Sequence, residues 1–474
     1  MNSICTTPSS FGPTVAIVDA GSYSNGSGTV EESLQNYDTN YGLPACTAAN
    51  GCLSIVNQQG AAAPLPANVS SGWSDEIVLD VEAVHMICQH CKILLVETND
   101  NSYANLTQGM LIAQTFNPVA ISMSFYSNFF DATMYDADFS VPGIALVAAT
   151  GDASRSVLAW PADNPGVLAV SGTTLQLNTD NTRAGETVWS SSGGACAQNY
   201  LAPAWQTSLS NWSSTTCGAQ RAFGDLSADG DPNTGMYINL ATGPSTSTWL
   251  EYGGTSLATP IIAAMLGIIG RVPAGTIESS IPYSSNTSAN FLDIISGNNC
   301  TGGGQTDCTA RAGYDSPSGL GSPIGLGGLS PPPAQPTGLA ITQTTHTSAS
   351  LNWSAGSSNV AVSNYTIYRD GIQVGSTAST SYTDPTAAVN NHYAYSVKAR
   401  DILNNVSPLS ATATADTYYS EDVNEDGHIN LLDLSLLAGE YGQSGPALGR
   451  SDMNADGNVN LLDLSLLAGS YGTE

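Results

Sequence analysis

The sequence predicts an α/β fold with a largely parallel sheet, followed by an antiparallel β-sandwich and a small helical domain built on a repeat. Over residues 1–330, short apolar runs at 15–18, 93–96, 119–121 and 144–147 alternate with helical patterns at 76–87 and 106–115. Uninterrupted runs of this kind are typical of strands that are covered on both faces. The pattern changes near residue 331 and again near residue 418, so we expect three domains, at 1–330, 331–417 and 418–474.

The charge balance restricts the possible partners. The 474 residues include 10 Lys and Arg against 39 Asp and Glu, which gives a formal charge of -29. A surface this acidic argues against nucleic acid and anionic membranes as partners, and it suits calcium or an acidic medium. No apolar run reaches the length of about 18 residues that a transmembrane helix needs. We therefore expect no membrane span.

The nine cysteines indicate an extracellular chain. Eight of them form close couples: Cys46 with Cys52, Cys88 with Cys91, Cys196 with Cys217, and Cys300 with Cys308. Short couples in a long exported chain predict local disulfides, and Cys5 is left over. Cys88-x-x-Cys91 has a zinc alternative, but no second ligand pair follows at zinc spacing. We expect a disulfide there and a secreted protein, with attachment to a cell surface as an open possibility.

The middle segment begins with the stiff prolines 331–333 and continues with alternating apolar residues. Alternation between turn signals such as Asp370-Gly371 predicts an antiparallel sandwich. Trp353 and the tyrosine-rich run at 393–397 resemble the core tryptophan and the late strand of fibronectin type III domains. The resemblance implies that fold for residues 331–417.

The last segment contains a 12-residue repeat, at 422–433 and 452–463, that is hard to produce by chance. Oxygen-bearing side chains recur at the alternate positions of an EF-hand loop, with glycine at position 6 for the turn. The predicted Ca²⁺ ligands of the two loops are Asp422, Asn424, Asp426, His428, Asn430, Asp433, Asp452, Asn454, Asp456, Asn458, Asn460 and Asp463. Aspartate at position 12, running into Leu-Ser-Leu-Leu, resembles a dockerin domain. This resemblance implies a cohesin-like or cell-surface scaffold as the partner.

A nucleophile motif lies in the first segment, where Gly254-Thr255-Ser256 precedes an apolar helical run. A small-residue turn presents Ser256 at a helix start, where free N–H groups can stabilise an oxyanion. We expect Pro260 in the first turn of this helix, where its missing N–H costs little. Gly-Thr-Ser-x-Ala-x-Pro is the nucleophile motif of the subtilisin superfamily, so a subtilisin-like sheet flanked by helices is expected.

Two candidate bases compete for this serine. A subtilisin would use Asp19 and a histidine, but His85 lacks the flanking motif and is expected on a helix face. Glu76 and Asp80, four residues apart, lie on one helical face and can share a proton. Their spacing resembles the sedolisin family of serine-carboxyl peptidases, in which Asp19 becomes a structural residue at the end of a strand.

A third motif, Gly151-Asp152 after a buried strand, also resembles the sedolisins. Subtilisins carry asparagine at this place, whereas an aspartic acid can donate a hydrogen bond only while protonated, as in acid. The resemblance extends over roughly residues 13–325 and implies an acid endopeptidase acting on polypeptides, with Ser256, Glu76, Asp80 and Asp152 in the catalytic roles. It also implies a second calcium site, whose predicted ligands are Asp293, Ile294, Arg311, Gly313 and Asp315.

The chain departs from the family pattern at two places. Tyr126 stands where the family has glycine, and Ala153-Ser154 stand where Ser-Gly usually follows the oxyanion aspartate. Tyr126 adds bulk beside the expected substrate cleft. The competing hypothesis is a catalytically inactive cell-surface scaffold or adhesion protein that keeps a peptidase fold. The intact set of Ser256 and its three acidic partners favours the enzyme.

Overall fold

A computed structural model describes residues 11–127, 133–243, 245–272, 276–302, 305–445, 450–454 and 456–472. The chain divides into two compact units, Met1–Pro331 and Pro332–Glu474. Cys5, expected to be unpaired, lies outside the described residues. No helix in the described ranges combines the length and apolar character needed to cross a bilayer.

The first unit is built on a mixed sheet of eight strands. The strands of this unit are β1 (Thr14–Ala20), β2 (Leu53–Asn57), β3 (Lys92–Thr98), β4 (Ala120–Met123), β5 (Ala145–Ala149), β6 (Leu168–Leu177), β7 (Arg183–Val188), β8 (Ala195–Leu201), β9 (Gln220–Phe223), β10 (Leu226–Asp229), β11 (Met236–Gly243), β12 (Thr246–Tyr252), β13 (Phe291–Leu292) and β14 (Ser322–Pro323). The large sheet runs in the order β10-β6-β5-β4-β1-β3-β2 with parallel pairing, and β7 adds antiparallel to β6. The predicted parallel sheet is confirmed.

Helices cover both faces of this sheet. They are α1 (Val30–Tyr41), α2 (Ser71–Ile87), α3 (Tyr103–Thr115), α4 (Ala204–Thr207), α5 (Thr255–Ile269) and α6 (Ile281–Ser284), with 3-10 turns at Thr133–Phe139, Trp212–Thr215, Glu278–Ser280 and Gly327–Leu329. Side chains of α2 and α5 share one apolar core with Val15 and Ile17, and those of α3 share a second core with Ala16 and Val18. Because both faces of β1 are buried, its sequence is apolar over 15–18.

Two helices begin earlier than the apolar pattern predicts. We expected helices over 76–87 and 106–115, but α2 begins at Ser71 and α3 at Tyr103. The cause is N-capping: the side chain of Ser70 accepts from Trp73 N, and that of Ser102 accepts from Asn105 N. The capping serines do not belong to the apolar periodicity, so the pattern alone misses the first turns of both helices.

All four predicted disulfides are present: Cys46–Cys52, Cys88–Cys91, Cys196–Cys217 and Cys300–Cys308. Cys88 and Cys91 are therefore disulfide-bonded, and the zinc alternative for this pair is wrong. The Cys88–Cys91 bond closes the carboxyl end of α2, the helix that carries Glu76 and Asp80.

The second unit contains the predicted antiparallel sandwich. Its strands are β15 (Thr337–Thr344), β16 (Ala349–Ser354), β17 (Val362–Arg369), β18 (Ile372–Thr377), β19 (Ser381–Asp384), β20 (His392–Asp401) and β21 (Ala413–Asp416). They form a three-stranded sheet, β15-β16-β19, and a four-stranded sheet, β18-β17-β20-β21. Trp353 packs edge-on against Tyr365, with ring centroids 5.3 Å apart, in the core between them. The buried tryptophan and the alternation therefore identified the sandwich correctly.

The repeat ends the second unit with two short helices, α7 (Leu431–Glu440) and α8 (Leu461–Ser470). Both helices begin with a capping box in which Asn430 or Asn460 is the N-cap and the aspartate three residues later completes the pair. Their shared core is small: the fully buried apolar residues are Ile429, Leu437, Val459 and Leu467. Because this core is small, the folded state of the segment depends mainly on its loops.

Candidate active site

Ser256 is the second residue of α5 and lies in a turn that requires glycine. Gly254, the N-cap, has φ 94°, and a Cβ at this position would meet Asp152 Oδ2 at 2.7 Å. Both the positive φ and the close approach exclude a side chain there. The turn thus holds the start of α5 directly against Asp152.

Pro260 is not in the first turn of α5, as we had expected, but in the second. Its missing N–H leaves the carbonyl of Ser256 without its helical partner, four residues earlier. The hydroxyl of Ser124 lies 3.2 Å from that carbonyl, and its single proton is directed either there or to Asp80. In turn, Ser256 Oγ lies 3.4 Å from the carbonyl of Ser124. The proline therefore opens the helix backbone to a contact with the end of β4.

Glu76 and Asp80 lie one turn apart on α2: Glu76 lines the cavity with Ser256, and Asp80 faces the segment after β4. Asp80 is fully buried and accepts from Ser124 Oγ at 2.9 Å. Burial raises the pKa of Asp80 well above its usual range, and the charges of Asp19 and Glu76 raise it further. For Glu76, burial again raises the pKa well above the usual range and Asp19 adds to this, while a hydrogen bond with the Ser256 hydroxyl opposes it. The two acids therefore share a proton, and the pair keeps this proton to a higher pH than an isolated carboxyl group does.

Asp152 follows β5 and is held by the residue before the serine. Its Oδ1 accepts from Thr255 N and from Thr255 Oγ1, each at 2.8 Å, and Gly151 N donates to Thr255 Oγ1 at 3.1 Å. Although much of the Asp152 surface opens to the cleft, crowding by protein atoms raises the pKa of its carboxyl, and the two bonds from Thr255 oppose that rise. Oδ2 lies on the side of Gly254 and is left free to act in the cleft.

The structure brings three of the four predicted catalytic residues to one cavity of about 300 Å³. Its lining consists of Ser70, Gly72, Trp73, Glu76, Ser124, Phe125, Tyr126, Asp152 and Ser256. Asp80 lies behind the lining and is linked to it through Ser124. The arrangement places a hydroxyl, a carboxyl that can accept its proton and a second carboxyl beside the same space.

His85 is held away from this cavity. It is fully buried, and its Nε2 lies 2.8 Å from the carbonyl of Pro44 and 3.2 Å from Asp38 Oδ1. It is not among the lining residues. Its partners therefore belong to the packing between α1 and α2, as expected for a histidine on a helix face.

Sequence reasoning missed that Asp19 and Glu97 form a second pair of buried acids. Asp19 lies next to the end of β1 and pairs in register with Glu97 of β3, so both side chains point to the same face of the sheet. Both are buried, and burial together with the charge of Glu97 raises the pKa of Asp19 to about 8. Burial raises the pKa of Glu97 to about 7. The signal in the sequence is an acid at the end of an apolar strand in each of two neighbouring strands.

The five predicted ligands of the second calcium site meet in the loops after β13. Asp315 is buried and accepts from Arg311 N at 2.7 Å and from Ser318 Oγ at 2.7 Å, and Asp293 accepts from Gly313 N at 2.8 Å. Burial raises the pKa of Asp315 to about 7, and the charge of Asp293 contributes to this rise. The carbonyl of Ile294 faces Ser318 at 3.4 Å. The carboxylates of Asp293 and Asp315 and the carbonyl of Ile294 are oxygen donors of the kind that bind a hard divalent ion, whereas Arg311 and Gly313 present their N–H groups to the two acids.

The two loops of the tail have the same internal geometry. Asp433 and Asp463, at position 12, are fully buried and accept backbone N–H groups from the start of their own loops. Gly427 and Gly457 have φ 86° and 85°, the positive values that the turn was expected to need. The carboxylates at positions 1 and 12 both accept backbone N–H groups of the same short loop, and acids placed in one loop in this way fit Ca²⁺. The side-chain oxygens of Asn430 and Asn460 instead cap α7 and α8, and the backbone N–H groups of His428 and Asn458 donate to the aspartates at position 5.

Comparison with known proteins agrees with this architecture. Residues 67–279 match the subtilase family, and residues 420–469 match the dockerin type I domain. The first unit is thus similar to subtilases over most of its length, and the tail is similar to dockerin type I domains.

Among its relatives are two that confirm the predicted resemblance to sedolisins. Kumamolisin of Bacillus sp. (strain MN-32) is 27% identical over 66% of this chain and 59% of kumamolisin. Sedolisin of Pseudomonas sp. (strain 101) is 32% identical over 36% of this chain and 30% of sedolisin. The chain spans less than two thirds of either relative. A solved structure of Pseudomonas sedolisin, a serine-carboxyl proteinase, covers 66% of this chain and 92% of its own with a TM-score of 0.52, at 23% identity, which shows a shared fold.

Proposed function

We propose that the first unit is a serine-carboxyl endopeptidase that works in acid. The observation that carries the proposal is the common cavity of Ser256, Glu76 and Asp152, together with the buried link from Asp80 through Ser124. The relatives named kumamolisin and sedolisin support the same assignment.

The reaction follows from the positions of these groups. With the proton that the two acids share on Asp80, Glu76 is ionised and takes the proton from Ser256 Oγ as this oxygen attacks the scissile carbonyl. Asp80 also orients and tunes Glu76. Protonated Asp152 donates from Oδ2 to the developing oxyanion, together with the Ser256 N–H at the start of α5. The proton on Glu76 then passes to the leaving amine, which leaves an acyl-enzyme on Ser256. Water attacks the ester with Glu76 as the base and frees the serine.

The test is digestion of a denatured protein from about pH 2 to about pH 8 by the wild type and by Ser256→Ala. We expect cleavage in acid by the wild type and none by the variant. Internal fragments would identify an endopeptidase, whereas single residues released from one end would identify an exopeptidase. Equal cleavage by both proteins, or none by either, would contradict the proposal.

We also propose Ca²⁺ as the structural cofactor of both units. In the first unit Asp293, Asp315 and the carbonyls of Ile294, Arg311 and Gly313 would hold it. In the tail the loop residues at positions 1, 3, 5 and 12, with the carbonyls of His428 and Asn458, would do so. The ion supplies positive charge that lets these buried acids ionise without mutual repulsion.

The tail is proposed to bind an extracellular scaffold, of the cohesin type or on a cell surface, and so to tether the peptidase. The dockerin match supports this, and so does the duplication: Leu431 and Leu461, at the same position in the two helices, are each 66% exposed. The disulfides support an oxidising, extracellular location. Deleting residues 331–474 should leave peptide cleavage nearly unchanged and abolish retention on the surface fraction of the producing cells. Retention of the truncated chain would contradict the tether.

A further inference from the structure

Tyr126 belongs to the short segment that leaves the end of β4 and enters the cavity. Ser124 faces α2, where its hydroxyl binds Asp80. Phe125 is 7% exposed and packs into the core on the α3 face, whereas Tyr126 is 37% exposed. Ser124, Phe125 and Tyr126 all line the cavity, and Tyr126 is the more exposed of the two aromatic residues.

The ring of Tyr126 lies flat against Gly151. A Cβ on Gly151 would meet Tyr126 Cδ2, Cε2 and Cγ at 2.7, 2.8 and 2.8 Å, so three ring atoms are equally close to one backbone position. Gly151 precedes Asp152 and has φ 99°. One face of the ring is therefore fixed by the backbone beside the oxyanion position, while the side chain remains partly exposed and lines the cavity.

The ring does not fill the cleft. About 300 Å³ remains beside it, and the described part of the lining adds two further aromatic residues, Trp73 and Phe125, and no lysine or arginine. Among the described residues, the Tyr126 hydroxyl has no hydrogen-bond partner, so no polar contact holds the ring outside the cleft. An aromatic face beside open space is a surface on which an apolar side chain stacks.

From this geometry we propose that Tyr126 is a specificity-determining residue, and that its free face receives an aromatic or large aliphatic side chain of the polypeptide next to the scissile bond. The proposal rests on the proposed peptidase function and names its substrate class. The residue acts in binding the substrate and not in proton transfer, because among the described residues no hydrogen bond joins its hydroxyl to Ser256, Glu76 or Asp152.

The experiment compares kcat/KM for matched peptides that carry Phe or Ala at each position flanking the scissile bond in turn. It uses the wild type, Tyr126→Phe and Tyr126→Gly, the last of which restores the residue usual in sedolisins. At one position the preference of the wild type for Phe over Ala should fall about 3- to 10-fold in Tyr126→Gly. Tyr126→Phe, which keeps the ring, should retain it. The shape of the pH profile should be the same in all three proteins.

Two results would overturn the proposal. An unchanged preference in Tyr126→Gly at every position would show that the ring does not touch the substrate. A preference for Phe that rises in Tyr126→Gly would show that the ring is a barrier and not a platform. Calorimetry on Ser256→Ala, with and without Tyr126→Gly, measures the ratio of the binding constants of the Phe and Ala peptides without turnover. Loss of cleavage with a preserved binding ratio would therefore count against the peptidase function alone.

Discussion

At the scale of single residues, Asp152 ties the proposed chemistry to acid. Thr255 holds one of its oxygens through two bonds of 2.8 Å, and the other faces Gly254 and the cleft. A carboxylate at that place would repel an oxyanion, whereas a carboxylic acid stabilises it by donation. The raised pKa of Asp152 widens the pH range in which the acid form persists.

Asp152→Ala should therefore lower kcat about 10²- to 10³-fold with a much smaller change in KM, because the lost bond forms only in the transition state. Steady-state kinetics on one peptide in acid measures both values. Asp163→Asn is the matched control: Asp163 is also buried with a raised pKa, about 6, but it does not line the cavity. A large loss in the control, or none in Asp152→Ala, would contradict the role given to Asp152.

At the scale of elements, the strands and the repeat could be predicted from the sequence because each has a pattern of its own. The run 15–18 is apolar since both faces of β1 are buried, and the glycines of the calcium loops mark positive φ. The first turns of α2 and α3 could not be predicted, because the serine that caps each helix is not part of its apolar periodicity.

Only those residues of the candidate site that lie in local motifs could be predicted from the sequence. Ser256, Glu76 and Asp152 each stand in a motif that can be read along the chain. Asp19 and Glu97 meet only through the register of β1 with β3, which no local pattern encodes. The contact of Ser124 with Ser256 likewise depends on Pro260 lying in the second turn of α5, and that position depends on where the helix begins.

The tail should depend on calcium in a way that the sandwich does not. Buried Asp433 and Asp463 organise their loops, and the apolar core of the tail is small. In chelator the acids repel one another, so the amides of α7 and α8 should exchange with solvent much faster, while those of β17 and β20 keep their protection. Hydrogen exchange followed by mass spectrometry on the full chain measures both. Asp422→Asn with Asp452→Asn should imitate the chelator. Unchanged protection of both helices would contradict the calcium assignment of the tail.

At the scale of the whole molecule, buried acids make the stability of the first unit depend on pH. Burial raises the pKa of Asp19 to about 8, of Glu97 to about 7, of Asp229 to about 7 and of Asp163 to about 6. The folded state thus binds these protons more tightly than the unfolded chain, in which acids titrate near pH 4. Their contribution is complete below about pH 4 and is lost as pH rises through about 6 to 8.

The melting temperature of the first unit should therefore fall by about 5 °C or more between about pH 4 and pH 8. Scanning calorimetry at constant calcium measures the fall. Glu97→Gln removes one of the buried acids and should make the fall smaller, whereas Asp180→Asn, at an exposed acid, should leave it as it is. A melting temperature that is flat or rises over this range would show that these acids are ionised in the folded protein.

The pH dependence of kcat/KM for one peptide, in the wild type, Glu76→Gln and His85→Gln, tests the central claim most directly. We expect a maximum at about pH 3 to 5, its near-complete loss in Glu76→Gln, and the same maximum in His85→Gln, since His85 lies outside the cavity. A maximum near pH 8 that His85→Gln abolishes and Glu76→Gln leaves intact would contradict the account and identify a histidine-dependent serine peptidase.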